Sequence, residues 1–104
     1  MTKINATTKG GSSGSTTTTG QVTMDFGATE DFNTTVTITT ALVTSASIIR
    51  VSPTAIATAD HDPDDYAAEG ITAYATNIVN GVSFDIMGSA PNSTWGKYLV
   101  NWAF

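Results

Sequence analysis

The 104-residue chain has 12% charged residues, a net charge of −5 and no cysteine. Those figures fit one domain, and they exclude disulfides, thiolate metal ligands and cysteine nucleophiles, so packing alone must hold the fold. The chain has no run of about 18 apolar residues, so no helical membrane span is expected, and no apolar signal core opens it, so no classical secretion is implied.

A domain of this scale buries only about 60–65% of the surface its unfolded chain exposes. A soluble monomer normally carries more surface charge than this one does. Both facts point to cover from neighbouring subunits. The charge is also unevenly placed. Residues 1–20 hold Lys3 and Lys9 and no acid, whereas the remainder sets Arg50 and Lys97 against all nine acids. An acidic body repels nucleic acid, so no nucleic-acid partner is expected, and no membrane partner either.

Residues 1–20 read MTKINATTKGGSSGSTTTTG, with Ile4 the only large apolar side chain after Met1. Such a segment cannot bury enough surface to offset its ordering entropy. It is expected to be an extended arm, held by a partner subunit or a larger assembly. Ile4 suits an apolar pocket, Gly10 and Gly11 allow close backbone approach, and Lys3 and Lys9 suit an acidic partner surface. The arm is set apart from a body spanning residues 21–104.

From Gln21 onward the hydrophobic period is two. Val22, Met24 and Phe26 alternate with polar residues, and so do Phe32, Thr34, Val36 and Ile38. Strand-length runs follow at Ser47 to Val51, Ile71 to Val79, Val82 to Met87 and Lys97 to Phe104. Runs of this type bounded by Gly, Pro, Asn and Asp predict an all-β fold: an antiparallel β-sandwich or small jelly-roll-like barrel. Thr is abundant and suits a pleated, half-wet surface. Pro63 to Glu69 offers one helical turn at most.

Asn80-Gly81 predicts a two-residue type I′ hairpin. That register sets Val79 against Val82, Asn77 against Phe84, Ala75 against Ile86 and Ala73 against Gly88, as a core face. The opposite face carries Tyr74, Ile78 and Met87, too apolar for a fully solvated surface and a candidate subunit contact. In the last strand Tyr98, Val100, Trp102 and Phe104 share one face. It belongs either to the interior of the domain or, through Trp102 and Phe104, to an oligomer axis.

Chemical motifs are few. Asp60, Asp62 and Asp64 alternate as in a calcium loop, but Asp65 stands where the EF-hand needs Gly and Ile71 where it needs Glu. The loop with Asp60, His61, Asp62, Asp64 and Asp65 reads as a solvated acidic contact, and irregular calcium binding is the alternative. His61 lacks the further ligands a zinc site would need. Gly10, Ser12 and Gly14 match G-x-S-x-G without the strand and helix that a nucleophile elbow requires. The Asn5, Asn33 and Asn92 glycosylation patterns read as chance in a Thr-rich chain. Trp95, Tyr98 and Trp102 have the chemistry of a sugar site, and of these Trp95 is expected to be free, in a loop from Gly88 to Gly96. No catalytic or metal residue and no cofactor is assigned.

Several segments together resemble a small β-domain that recurs in tailed-bacteriophage virion proteins. They are Asp25-Phe26-Gly27, the run Thr58-Ala59-Asp60-His61 with Asp64-Asp65, the hairpin from Asn77 to Ile86, and the closing Gly96 to Trp102. The resemblance covers Asp25 to Phe104 and implies a structural protein of the virion surface, not an enzyme. A capsid decoration, or cement, protein is the first expectation, because the domain stands behind a short arm and not after long glycine-rich repeats. It would form a homo-oligomer, first a trimer, attached by its arm to the major capsid protein or another virion protein. The alternative is a receptor-binding module of a tail or head fibre, under which a host-surface glycan would be a ligand. A particle-borne enzyme comes third. Decoration predicts a featureless outer face, and adhesion predicts exposed aromatics around a cleft at the end far from the arm.

Overall fold

The computed structural model describes residues 17–104. The expected arm residues Lys3, Ile4, Lys9, Gly10 and Gly11 lie outside them. The chain forms strands β1 (Thr19–Asp25), β2 (Asp31–Thr39) and β3 (Arg50–Pro53), a helix α1 (Pro63–Ala68), and strands β4 (Thr72–Val79), β5 (Ser83–Thr94) and β6 (Lys97–Ala103). It is mostly antiparallel β structure, in two three-stranded sheets ordered β1-β6-β3 and β2-β5-β4. β1 begins at Thr19, inside the segment read from sequence as arm. Thr18 and Phe104 exchange two backbone hydrogen bonds of 2.9 Å, which extend the β1–β6 ladder by one pair.

Alternation in each strand feeds one core. Met24, Tyr98 and Val100 come from the first sheet, and Phe84, Ile86 and Ala90 from the second. Val36 and Ile38 pack against this cluster, as the period of two in β2 predicts. Phe32 does not. A register shift between Asp31 and Asn33 takes it out of the alternation, and it is exposed. Two glycines make room for large side chains, Gly88 between the two sheets and Gly20 beside its cross-strand partner Trp102 within one sheet. An added Cβ at Gly88 would stand 2.5 Å from the Met24 sulfur, and one at Gly20 would enter the Trp102 indole.

The β4–β5 hairpin keeps the expected pairs Ala73 with Gly88 and Ala75 with Ile86. Nearer the turn the register changes. Asn77 and Ile78 together oppose only Phe84, between the pairs Thr76 with Asp85 and Val79 with Ser83, and Asn77 has φ of 51°. This is a β-bulge, and it has a clear cause. In unbroken register the Asn77 amide would face the core beside Phe84 without a partner, which is costly. The bulge turns it outward, where its Nδ2 donates to Asp85 at 3.0 Å. Val79 and Val82, expected in the core, are consequently exposed.

The turn itself is not type I′. Gly81 has φ of 70°, but Asn80 is not among the positive-φ residues, as it would have to be. Val82 N–H bonds the Val79 carbonyl at 2.9 Å, so a single positive φ at the third position matches a type II turn. The tip is held from outside. Gly81 N–H donates to the Val43 carbonyl at 2.7 Å, and the Asn80 side-chain oxygen Oδ1 accepts from Ser45 N–H at 3.0 Å.

Three further boundaries differ from expectation. Ser47 belongs to a turn closed by its hydroxyl on Thr44 N–H (2.9 Å), so the strand expected from Ser47 starts only at Arg50. β5 continues through most of the expected Gly88–Gly96 loop. Its residues Ala90 to Ser93 have no paired partner, which is why Pro91, with no N–H to give, is tolerated there. α1 has six residues, nearly two turns, and opens on Asp62 with Pro63 in its first turn.

The outer face of β2 and β5 holds a polar pair. Asp85 accepts from the Thr37 hydroxyl at 2.7 Å and from Asn77. These bonds, Thr37 first, hold its carboxyl below the usual aspartate range. Its folded pKa is therefore below its unfolded one. The stability it contributes is present above the ordinary aspartate range and is lost as pH falls through the depressed folded value.

Two outcomes are expected. Gly88→Val and Gly20→Val should each destabilise the domain by about 1–3 kcal/mol through overpacking against Met24 and Trp102, measured by urea unfolding; wild-type midpoints would contradict the tight layer contact. Asp85→Asn should flatten the fall of the thermal midpoint as pH drops below the ordinary aspartate range, about 4, and an unchanged acid limb would show that the two hydrogen bonds carry nothing.

Candidate functional site

The acidic loop is where sequence and structure diverge most. β3 is only four residues long and pairs with Val100 to Ala103, so it leaves the Lys97–Leu99 edge of β6 without a strand. Loop and helix residues supply the missing partners. Lys97 N–H donates to Asp60 Oδ2 at 2.9 Å, and the Lys97 carbonyl accepts from the Thr58 hydroxyl at 2.8 Å. Leu99 N–H donates to the Tyr66 hydroxyl at 2.7 Å, and the Leu99 carbonyl accepts from Thr54 N–H at 2.9 Å. The Tyr66 hydroxyl in turn donates a hydrogen bond to the Ile56 carbonyl at 3.0 Å.

His61, expected in a solvated loop, is 7% exposed. Its ring stacks on Tyr98 with centroids 4.1 Å apart and planes 15° apart. Nε2 lies 2.6 Å from the Trp95 carbonyl and Nδ1 lies 3.1 Å from Asp65 Oδ2. Both ring nitrogens thus have an oxygen partner inside the domain. Asp65 Oδ2 also accepts from Asp62 N–H at 3.1 Å, which ties the start of α1 to the same point. Of the five residues proposed as an acidic contact, Asp60, His61 and Asp65 are thus engaged inside the domain, and Asp62 and Asp64 are exposed. Among the described residues no three acidic or histidine side chains converge as metal ligands.

Tyr98 is fully buried, with Phe26 and Tyr66 edge-on to it at 5.7 and 5.0 Å. Burial pushes its phenol above the ordinary tyrosine range, against the opposing effect of its 2.8 Å hydrogen bond with Thr94.

This aromatic assembly supports a cleft of about 380 Å³ beside it, lined by Asp25, Gly27, Ala28, Asp60, Trp95, Gly96 and Lys97. Trp95 is 43% exposed, and its ring lies 5.0 Å from that of His61. Gly27 and Gly96 have φ of 99° and 76° and are joined by a 2.8 Å backbone bond. At Gly96 a side chain is impossible without moving Asp60, whose side-chain atoms would lie 2.8–3.0 Å from an added Cβ. Asp25 gives Oδ1 to Gly27 N–H at 2.8 Å and holds Oδ2 3.9 Å from Lys97 Nζ. Sequence reading found Trp95 and its exposure. It missed Asp25 and Lys97, which reach the cleft only through their pairing across β1 and β6.

The other proposed contact residues divide. Tyr74 is exposed on the outer face of β4 and Ile78 is exposed in the bulge, and the Tyr74 hydroxyl lies 3.1 Å from the half-buried Met87 sulfur. Trp102 and Phe104 instead pack edge-on against Phe84 at 5.4 and 5.9 Å and stack on each other at 5.8 Å. They are half-buried parts of the core margin, not a free face.

The cleft and the entry of the described chain lie at opposite ends. β1 runs from Thr19, paired with Ala103, to Asp25, paired with Lys97, a span of about 20 Å at strand rise. The Thr19 end also gathers the β4–β5 turn and the 40–47 loop, and Leu42, Val79 and Val82 are exposed there.

No family model, no curated protein and no solved structure matches this chain.

Removing the Tyr66 hydroxyl tests the edge that carries the cleft. Tyr66→Phe should cost about 1–3 kcal/mol by leaving Leu99 N–H and the Ile56 carbonyl unpaired. It should also speed hydrogen exchange at Leu99 in native buffer. Unchanged exchange there would mean that the side-chain edge is not a protecting structure.

Proposed function

We propose that the protein is a structural subunit of a bacteriophage particle, a capsid decoration protein on the outer surface of the virion. In this reading the two sheets form a sandwich, and the segment before Thr17 is the arm that attaches it to the major capsid protein. The observation that carries the reading is the character of the Thr19 end. Leu42, Val79 and Val82 are exposed where the described chain enters, and Arg50 is the one charged side chain on the adjoining strand ends. An end with exposed apolar side chains and little charge, beside a Ser/Thr/Gly-rich segment, suits a surface covered by neighbouring subunits. The virion resemblance of Asp25 to Phe104 supplies the particle, and the low overall charge fits a chain that is partly enclosed.

Self-association, as a trimer, would bury this end or the Tyr74–Ile78 face of β4. The second reading, an adhesive module on a fibre, is favoured by one feature. Trp95 stands exposed in a cleft at the end far from the chain entry, where decoration alone would leave a featureless surface.

Deleting residues 1–16 should leave the thermal midpoint within a few degrees of wild type and abolish incorporation into particles, scored by mass spectrometry of purified virions. Val79→Asp with Leu42→Asp should lower the oligomer mass in analytical ultracentrifugation without unfolding. Full occupancy of the truncated protein on particles would overturn the attachment by the arm.

A further inference from the structure

We infer that the cleft between Trp95, Asp25, Asp60 and Lys97 is a binding site for a neutral saccharide, reading one hexopyranose unit of a surface glycan. The inference rests on the adhesive reading of this end of the molecule and names its ligand.

The argument begins with Trp95. An exposed indole loses water contact at its faces and gains most when covered by a flat apolar surface. Here it is also positioned. Its carbonyl is held by the buried His61 at 2.6 Å, and its ring lies against the His61 ring, which is itself stacked on Tyr98. The side chain is therefore braced by the core while 43% of its surface stays in solvent. Large exposed aromatics on a fixed backbone are preorganised for contact, since little freedom remains to be lost.

Polar groups converge beside it. Asp60 spends Oδ2 on Lys97 N–H, and among the described residues Oδ1 has no hydrogen-bond donor. Asp25 presents Oδ2 beside the Lys97 ammonium, at a separation too long to be a tight ion pair. Lys97 Nζ accordingly has donors to give, and the two carboxylates have lone pairs to give. Acceptors and a donor within one cleft match vicinal hydroxyls, each of which both donates and accepts. Gly27, where an added Cβ would meet only the Thr29 carbonyl at 3.8 Å, leaves one wall of the cleft free of a side chain.

Charge selects the class. Two carboxylates and one ammonium leave the cleft with a single net negative charge, within a chain of net charge −5. Phosphate, sulfate and sialic acid are disfavoured there. The C–H face of a neutral pyranose covers the indole, and its hydroxyls meet the carboxylates and Lys97. A volume near 380 Å³ holds one sugar ring with part of a second. One such site binds weakly, with Kd on the order of millimolar, and several sites on one oligomer would multiply the hold.

The test uses the full chain carrying Trp102→Phe, so that Trp95 is the sole tryptophan and its fluorescence reports the cleft. Maltohexaose, cellohexaose and mannohexaose are titrated to about 10 mM, with 3′-sialyllactose as the anionic comparator. The expected result is a saturable change with at least one neutral oligosaccharide and none with sialyllactose. By calorimetry on the otherwise wild-type chain, Trp95→Ala should weaken that binding at least about tenfold, and Lys97→Met should weaken it less. Trp95→Ala keeps the backbone carbonyl that His61 needs, and an unchanged thermal midpoint would show that it folds. Absence of binding by all three neutral probes, or binding undiminished in Trp95→Ala, would overturn the site. A parallel assay of adherence to bacterial cells separates the two levels. Cells bound equally by wild type and Trp95→Ala would leave adhesion standing and remove the saccharide site. Oligosaccharide binding without adherence would keep the site and remove the adhesive reading.

Discussion

The rest of the molecule is arranged around the burial of Tyr98. It sits in the central strand of one sheet with no solvent exposure, and its ring is enclosed by Phe26, His61 and Tyr66. A buried phenol needs a hydrogen-bond partner, and Thr94, at the end of β5 in the other sheet, supplies it. Each of the four neighbours fixes a different piece of chain. Phe26 closes β1, Tyr66 fastens α1, His61 orders the acidic loop, and Thr94 sets the last residues of β5 before Trp95. An aromatic assembly of this size gives a domain without disulfides a rigid centre, and the cleft forms where the four pieces meet.

Much of the fold was legible in the chain. The period of two located β1, β2, β4 and β6, and Asn80-Gly81 marked the hairpin and most of its register. What escaped was the price of polar residues inside that pattern. Asn77 fits the alternation by position, yet an amide beside Phe84 would be unsatisfied, so the strand bulges and Val79 and Val82 move outward. Ser47 reads as strand beside Ile48 and Ile49, but its hydroxyl closes a turn with Thr44 instead. These are local hydrogen-bonding choices, which hydrophobic periodicity does not encode.

The site was less legible than the fold. Trp95 stood out because an aromatic near Gly and Asn has few ways to be buried. The acidic run looked like a solvated patch because nothing in the sequence shows that β3 pairs only with Val100 to Ala103 and leaves the Lys97–Leu99 edge of β6 open. Once it stops at Pro53, the exposed edge of β6 needs donors and acceptors, and Thr58, Asp60 and Tyr66 are the side chains within reach. His61 follows them inward. Asp60 and Asp65, read as part of a solvated acidic contact, instead hold backbone N–H groups and the His61 ring.

That substitution of side chains for a strand has a consequence for how the domain opens. A ladder unzips pair by pair, whereas residues 54–71 are fastened to β6 by Thr54, Thr58, Asp60 and Tyr66, and to the Trp95 carbonyl just before it by His61, at separate points. The sheets on either side keep their own pairing without it. The segment therefore has the makings of a separate foldon, able to lift away in one step while both sheets stay closed. Its departure would uncover Tyr98 and release Trp95 from His61 together, so the slowest-exchanging amides of the strands and those of Lys97 and Leu99 would report two different opening events.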